Sequence, residues 1–173
     1  MVKRALLVAR RALLALALLI FGAIAGLAFH LATATGDTVF SWQRPDNLGV
    51  KDGRLAPPSR TPNSVSSQAD PADAEHYIAP IPFKGEAPAA IAAVRKAIES
   101  MRDSTIVRAD GNYLYAEYRT KTMRFVDDVE FHFDEKAALI HVRSASRLGR
   151  RDFGVNRARV EAIRARIEGR PKN

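Results

Sequence analysis

At 173 residues, 47% apolar and 27% charged, the chain suffices for one ordinary domain with an appendage, not for two full domains. It has no cysteine, which excludes a disulfide scaffold, a thiol nucleophile and any cysteine-ligated zinc or iron–sulfur site. The net charge of +8 divides into +4 over residues 1–34, −3 over 35–142 and +7 over 143–173, so half of it flanks a hydrophobic segment and no nucleic-acid partner is expected.

Residues 12–29, ALLALALLIFGAIAGLAF, form an 18-residue run without charge that continues to Ala34. As a helix it rises about 27 Å, close to the hydrocarbon thickness of a bilayer. Lys3, Arg4, Arg10 and Arg11 precede it, and the positive-inside rule then leaves the N-terminus in the cytoplasm. Residues 1–34 are therefore expected to be a basic tip and a single-pass anchor in the inner membrane, with the remainder facing the periplasm or exterior. A cleaved signal peptide is the alternative, with Ala32-Thr33-Ala34 an acceptable cleavage site, although secretory apolar cores usually run only about 7–15 residues. Gly22 and Gly26 have the G-x-x-x-G spacing of a weak homodimer contact, which an alanine-rich span also produces by chance.

Residues 35–56 hold the breakers Gly36, Pro45, Gly49 and Gly53 and read as an extended juxtamembrane segment. A single domain is expected over 57–173, beginning with a Pro/Ser-rich loop at 57–75. His76 to Ile81 reads as a short strand that Pro80 confines to a sheet edge. Ile91, Val94, Ile98 and Met101 space a helix over 88–101, with Pro88 in its first turn. Four strands follow, over 105–109, 112–119, 123–133 and 138–144, the first two joined by Asp110-Gly111-Asn112. A last helix opens near Asn156 as N-cap and carries Val160, Ile163 and Ile167 as its apolar stripe. The order predicts an α+β fold: an antiparallel sheet of about four to five strands packed by two helices.

Parity along MRFVDDVEFHF places Asp127 with Met123, Phe125, Val129, Phe131 and Phe133, and Arg124, Val126, Asp128, Glu130 and His132 on the other face. A carboxylate in an apolar row needs a cationic partner, so an arginine from 143–159 is expected to pair with Asp127, Arg143 or Arg157 best placed. Asp127→Asn is then expected to cost about 3–5 kcal/mol, and Asp128→Asn on a wet face under about 0.5 kcal/mol. Asp128, Glu130 and His132 with His141 have the residue types of a metal or acid–base site, but a solvated strand face gives the same alternation, so no metal or cofactor is expected. If the chain is an enzyme, Asp127, Asp128, Glu130 and Arg143 are its catalytic candidates. A third cluster, Arg143, Ser144, Ser146, Arg147, Asn156 and Arg157, sets arginines and hydroxyls around a helix start, the chemistry of an anion site. No Walker loop, dinucleotide fingerprint, G-x-S-x-G or H-E-x-x-H is present.

RPDNLGVKDGRLAP (44–57), PNSVSSQ (62–68), RFVDDVEF (124–131) and RSASRLGRRDFGVNRARVEAIR (143–164) together resemble the bacterial and plastid domain-of-unknown-function family 1499, over residues 44–168. That family's pattern carries a cysteine on each side of a short Pro-rich turn before Val-Ser-Ser. Here those positions are Pro58 and Ser64, as a disulfide lost as a unit would leave them, which speaks against a nucleophile at either. The resemblance implies an ordered loop at 57–75 and brings no established activity with it. Two functional expectations follow: a non-catalytic envelope domain binding a partner protein or an anionic ligand, or a hydrolase or other acid–base enzyme built on the carboxylate strand.

Overall fold

The computed structural model describes residues 10–11, 13–24, 26–27, 43–120 and 125–169. It separates into two units, residues 1–40 and 41–173. In the first unit residues 10–11, 13–24 and 26–27 are helical (α1), and Leu13, Leu18, Leu19 and Phe21 are exposed along it. Among the described residues no helix is long and apolar enough to cross a membrane, and residues 12, 25 and 28–34 of the expected span lie outside them.

The second unit is α+β. Its elements are β1 (Ser64–Ser66), β2 (Ile81–Pro82), α2 (Ala87–Glu99), β3 (Ser104–Asp110), β4 (Tyr113–Arg119), β5 (Val126–Asp134), β6 (Leu139–Ser146) and α3 (Val155–Ile167). They build one six-stranded antiparallel sheet in the order β1-β6-β5-β4-β3, with β2 also on the outer edge of β6. The Pro/Ser-rich stretch supplies β1, and the short strand lies at Ile81–Pro82 instead of 76–81. Pro82 is tolerated there because β2 is an edge strand. Met123 and Arg124, expected to open the third of the four strands, lie outside the described residues.

Local chemistry sets the connections. Gly111 turns β3 into β4 at φ 56°, a left-handed conformation that glycine adopts without a Cβ penalty. Asp134 Oδ1 accepts from the N–H groups of Lys136 (2.9 Å) and Ala137 (3.2 Å), an Asx-type turn between β5 and β6. The helices lie on one sheet face. Leu114, Ala116, Val129, Phe131, Phe133, Ile140 and Val142 from the sheet pack there with Ile91, Val94 and Ile98 of α2 and Val160 and Ile163 of α3. Val65 and Ile81 bring the edge strands into the same core.

The opposite face is not wet, and this corrects the solvated-face expectation. Asp128 is 1% and Glu130 0% exposed, and Tyr113, Tyr115, Glu117, His132 and Arg143 are buried with them. Residues 43–55, expected to be extended, lie against this face. Leu48, Val50 and Leu55 pack on Tyr113 and Tyr115, Arg44 pairs with Glu117, and the Gly49 N–H reaches Glu130.

Candidate functional site

The polar face is built by period-2 alternation on three neighbouring strands. Tyr113, Tyr115 and Glu117 on β4, Asp128, Glu130 and His132 on β5, and His141 and Arg143 on β6 point the same way, because paired residues share a face. Register sets Glu117 opposite Asp128, two like charges whose repulsion must be cancelled. Arg147, just beyond β6, does this. Its Nη2 donates to Asp128 Oδ1 and Glu117 Oε1, each at 2.7 Å, and its Nε donates to Asp128 Oδ2 at 2.9 Å. Arg44 adds donors at 2.8 and 3.1 Å to Glu117 Oε1, and Arg119 one at 3.0 Å to Oε2. The Tyr115 hydroxyl, 2.6 Å from Asp128 and 3.0 Å from Glu117, gives its single proton to one carboxylate at a time and accepts from Arg147.

The electrostatics follow from these contacts. Burial would raise the Glu117 carboxyl, but the donors from Arg44, Arg147 and Tyr115 outweigh it and hold the group at about 2. Burial is also the largest influence on Arg147, and there too its hydrogen bonds to Asp128 and Glu117 win, raising it further above its ordinary range. Burial first, and then the neighbouring carboxylates, push the Tyr113 and Tyr115 phenols far upward, so both stay protonated donors.

Glu130 forms a second cluster. Its Oε1 accepts from the Tyr113 hydroxyl at 2.8 Å and the Gly49 N–H at 2.7 Å, and its Oε2 from Arg143 Nη1 at 3.1 Å. Beyond it His132 and His141 stack, with centroids 6.4 Å apart, and burial lowers both imidazoles. His132 Nε2 lies 3.1 Å from Asn112 Nδ2, and His141 Nδ1 lies 3.2 Å from Ser67 Oγ. The carboxylates are drawn to arginines rather than to these imidazoles, and among the described residues no group of three or more metal-ligating side chains converges.

Asp127 lies on the helix face as parity requires, 4% exposed, and its partner is Arg159 Nη2 at 2.5 Å. Neither Arg143 nor Arg157 holds it, which corrects the choice within the expected range. Arg143 is on the polar face with Glu130, and Arg157 donates to the carbonyls of Ala74 (3.1 Å) and Glu75 (3.2 Å). Arg159 also donates to Ser144 Oγ and Asn156 Oδ1 and stacks over Tyr118 at 4.7 Å.

The six anion-site candidates do not converge on an open space. Ser144 Oγ bonds Asn156 Oδ1 at 2.5 Å, and Asn156 Nδ2 donates to Ser146 Oγ and the Asn63 carbonyl, each at 3.0 Å. Arg143, Arg147 and Arg157 are directed elsewhere, as above. Asn156 is also not the N-cap. Gly154 is, and Asp152 accepts from the N–H groups of Gly154 (3.1 Å) and Asn156 (2.8 Å), so the protein's own carboxylate occupies the start of α3.

Sequence reasoning missed Glu117, Tyr113, Tyr115 and Arg44, and within 143–159 it did not single out Arg159. The tyrosines and Glu117 carried a signal, since YLYAEYR alternates as cleanly as the strand beside it. Arg159 carried one too, four residues before the core residue Ile163. Arg44 carried none in its spacing.

No curated protein and no solved structure matches the chain. A family model does match, over residues 54–167, a range that holds all three carboxylate clusters and every arginine that pairs with them except Arg44. The chain belongs to the family described as protein of unknown function, DUF1499.

Proposed function

We propose that this protein is a membrane-anchored, non-catalytic binding domain on the outer side of the cytoplasmic membrane, with an anionic ligand as its target. One observation carries the non-catalytic part. Asp127, Asp128, Glu130 and Glu117 are each at most 4% exposed and each engaged by an arginine. A general acid or base must reach its substrate, and carboxylates locked this way act as scaffold. The exposed leucines of α1, next to Arg10 and Arg11, support the anchor, with the N-terminus in the cytoplasm.

Two experiments test the reading. A reporter enzyme that works only outside the cytoplasm, fused after Asn173, should be active, and activity of a cytoplasm-only reporter there refutes the topology. Thermal denaturation of the full chain in detergent, with phosphate, organic anions and divalent metals, should show stabilisation by an anion. At about 100-fold excess over Kd the gain is about 2.7 kcal/mol. Hydrolytic turnover lost in both Asp128→Asn and Glu130→Gln proteins that remain folded refutes the non-catalytic part.

A further inference from the structure

The described part of residues 41–173 exposes three large hydrophobic side chains, Val107, Phe153 and Val155. Two of them stand together, Phe153 in the loop before α3 and Val155 as the first residue of that helix. Phe153 is 93% exposed, so it adds almost nothing to the core. Its φ of 54° is left-handed, a conformation that bulky aromatic residues avoid. A residue that is both strained and exposed finds its explanation outside the fold.

The neighbours of Phe153 indicate what it meets. Arg150 and Arg151 are exposed, and neither has a hydrogen-bond or ion-pair partner among the described residues. The acid between them and Phe153 is already engaged, because the Asp152 carboxylate accepts from the N–H groups of Gly154 and Asn156 at the start of α3. Beside the loop a cleft of about 220 Å³ is lined by Ser64, Arg151, Phe153 and Arg157 together with the acids Glu75 and Asp152. Two unpaired guanidiniums next to two exposed apolar side chains match the boundary layer of an anionic bilayer, where phosphates lie just above acyl chains.

We propose that residues 150–155 are a second membrane contact. Phe153 and Val155 enter the headgroup layer of an anionic bilayer, and Arg150 and Arg151 bind its phosphates. The proposal rests on the anchored-domain reading and names its anionic ligand as the lipid surface itself.

The chain has no cysteine, so Val155→Cys accepts a single polarity-sensitive fluorophore in the full-length protein. Lys136→Cys, in the exposed β5–β6 turn at the other end of the sheet from this loop, is the control. Both are reconstituted into vesicles of phosphatidylcholine, with or without phosphatidylglycerol. The label at 155 should become apolar and be quenched by lipid-borne quencher in anionic vesicles alone, and high salt should reverse this. The label at 136 should remain aqueous throughout. Arg150→Gln and Arg151→Gln should each lower the docked-to-undocked ratio roughly five-fold. Phe153→Asn, which tolerates the left-handed backbone, should abolish docking without unfolding the protein.

The outcomes separate the two readings. Protein retained on both kinds of vesicle with an aqueous label at 155 overturns the loop contact and leaves the anchor. Retention on anionic vesicles alone, with the label in lipid, supports the loop and overturns the anchor. Protein washed from both overturns both.

Discussion

Replacing Arg147 by methionine keeps most of its length while removing the guanidinium shared by Asp128 and Glu117. The arginine side chain is 6% exposed, and the two carboxylates are 2% and 5% exposed. Glu117 would keep Arg44 and Arg119, but among the described residues Asp128 would keep the Tyr115 hydroxyl alone. Breaking a buried pair from one side typically costs about 3–5 kcal/mol, because an uncompensated charge stays inside. That is a large share of the roughly 5–15 kcal/mol that holds a domain folded. Asp128→Asn removes the stranded charge, so adding it to Arg147→Met should cost less than the separate effects combined, with a coupling of about 1–3 kcal/mol. Urea denaturation of the four full-length proteins, followed by circular dichroism, measures this, with unchanged m values confirming a common unfolding reaction. A loss below about 1 kcal/mol for Arg147→Met, or strict additivity, would refute the argument that Arg147 neutralises a buried carboxylate pair.

Glu117 titrates at about 2 in the folded protein against an ordinary 4.5, so its contribution to stability is present above pH 4.5 and is lost as pH falls toward 2. Glu117→Gln should flatten that limb of the stability–pH curve, and an unchanged limb would assign the acid sensitivity elsewhere. His132 and His141 are lowered from 6.5, so the unfolded chain takes up protons first and stability falls as pH drops below that value. Exchanging both for glutamine should remove this loss, while the raised His76, hydrogen-bonded to Asp73, gives stability that is present below 6.5 and lost as pH rises above it, so it should be kept in the comparison. Gly49 lies at φ 105° with open space where a Cβ would project, so Gly49→Ala should cost about 1–3 kcal/mol through backbone strain alone. A melting temperature equal to that of the unchanged protein would show that the loop relaxes around the new side chain.

Most of the sheet and both of its helices were legible because their signals are local. The turn at Asp110-Gly111-Asn112, the alternation in β5 and the spacing of Ile91, Val94 and Ile98 each depend on residues a few positions apart. The burial of Asp127 followed from the same parity. Its partner did not, although helical geometry contained it. Asn156 and Arg159 stand four residues before Val160 and Ile163, so both fall on the stripe that faces the sheet. Arg157 is two residues from Arg159, about 200° around the helix, and points to the 74–75 carbonyls instead. Asn156 has a residue type that suits a cap, yet Gly154 is the N-cap, the Asp152 carboxylate accepts the Asn156 N–H, and Asn156 is fully buried.

The second face was misread because alternation reports that a strand has two different sides, not what covers them. Residues 43–55 have no periodicity, and as a cover they offer little more than Leu48, Val50 and Leu55. Charge matching is the trace they leave. A solvated face need not balance its charges locally, whereas a covered one must, since each unpaired buried ion is costly. On this face Glu117, Asp128 and Glu130 meet Arg44, Arg119, Arg143 and Arg147, and two of those arginines lie outside the strands. Removing the cover would take Arg44 from Glu117 and the Gly49 N–H from Glu130 together. The carboxylates therefore select the position of the segment that buries them: a breaker-rich strip with three apolar contacts could slide, but one that must deliver a guanidinium to Glu117 and an amide to Glu130 has a single register.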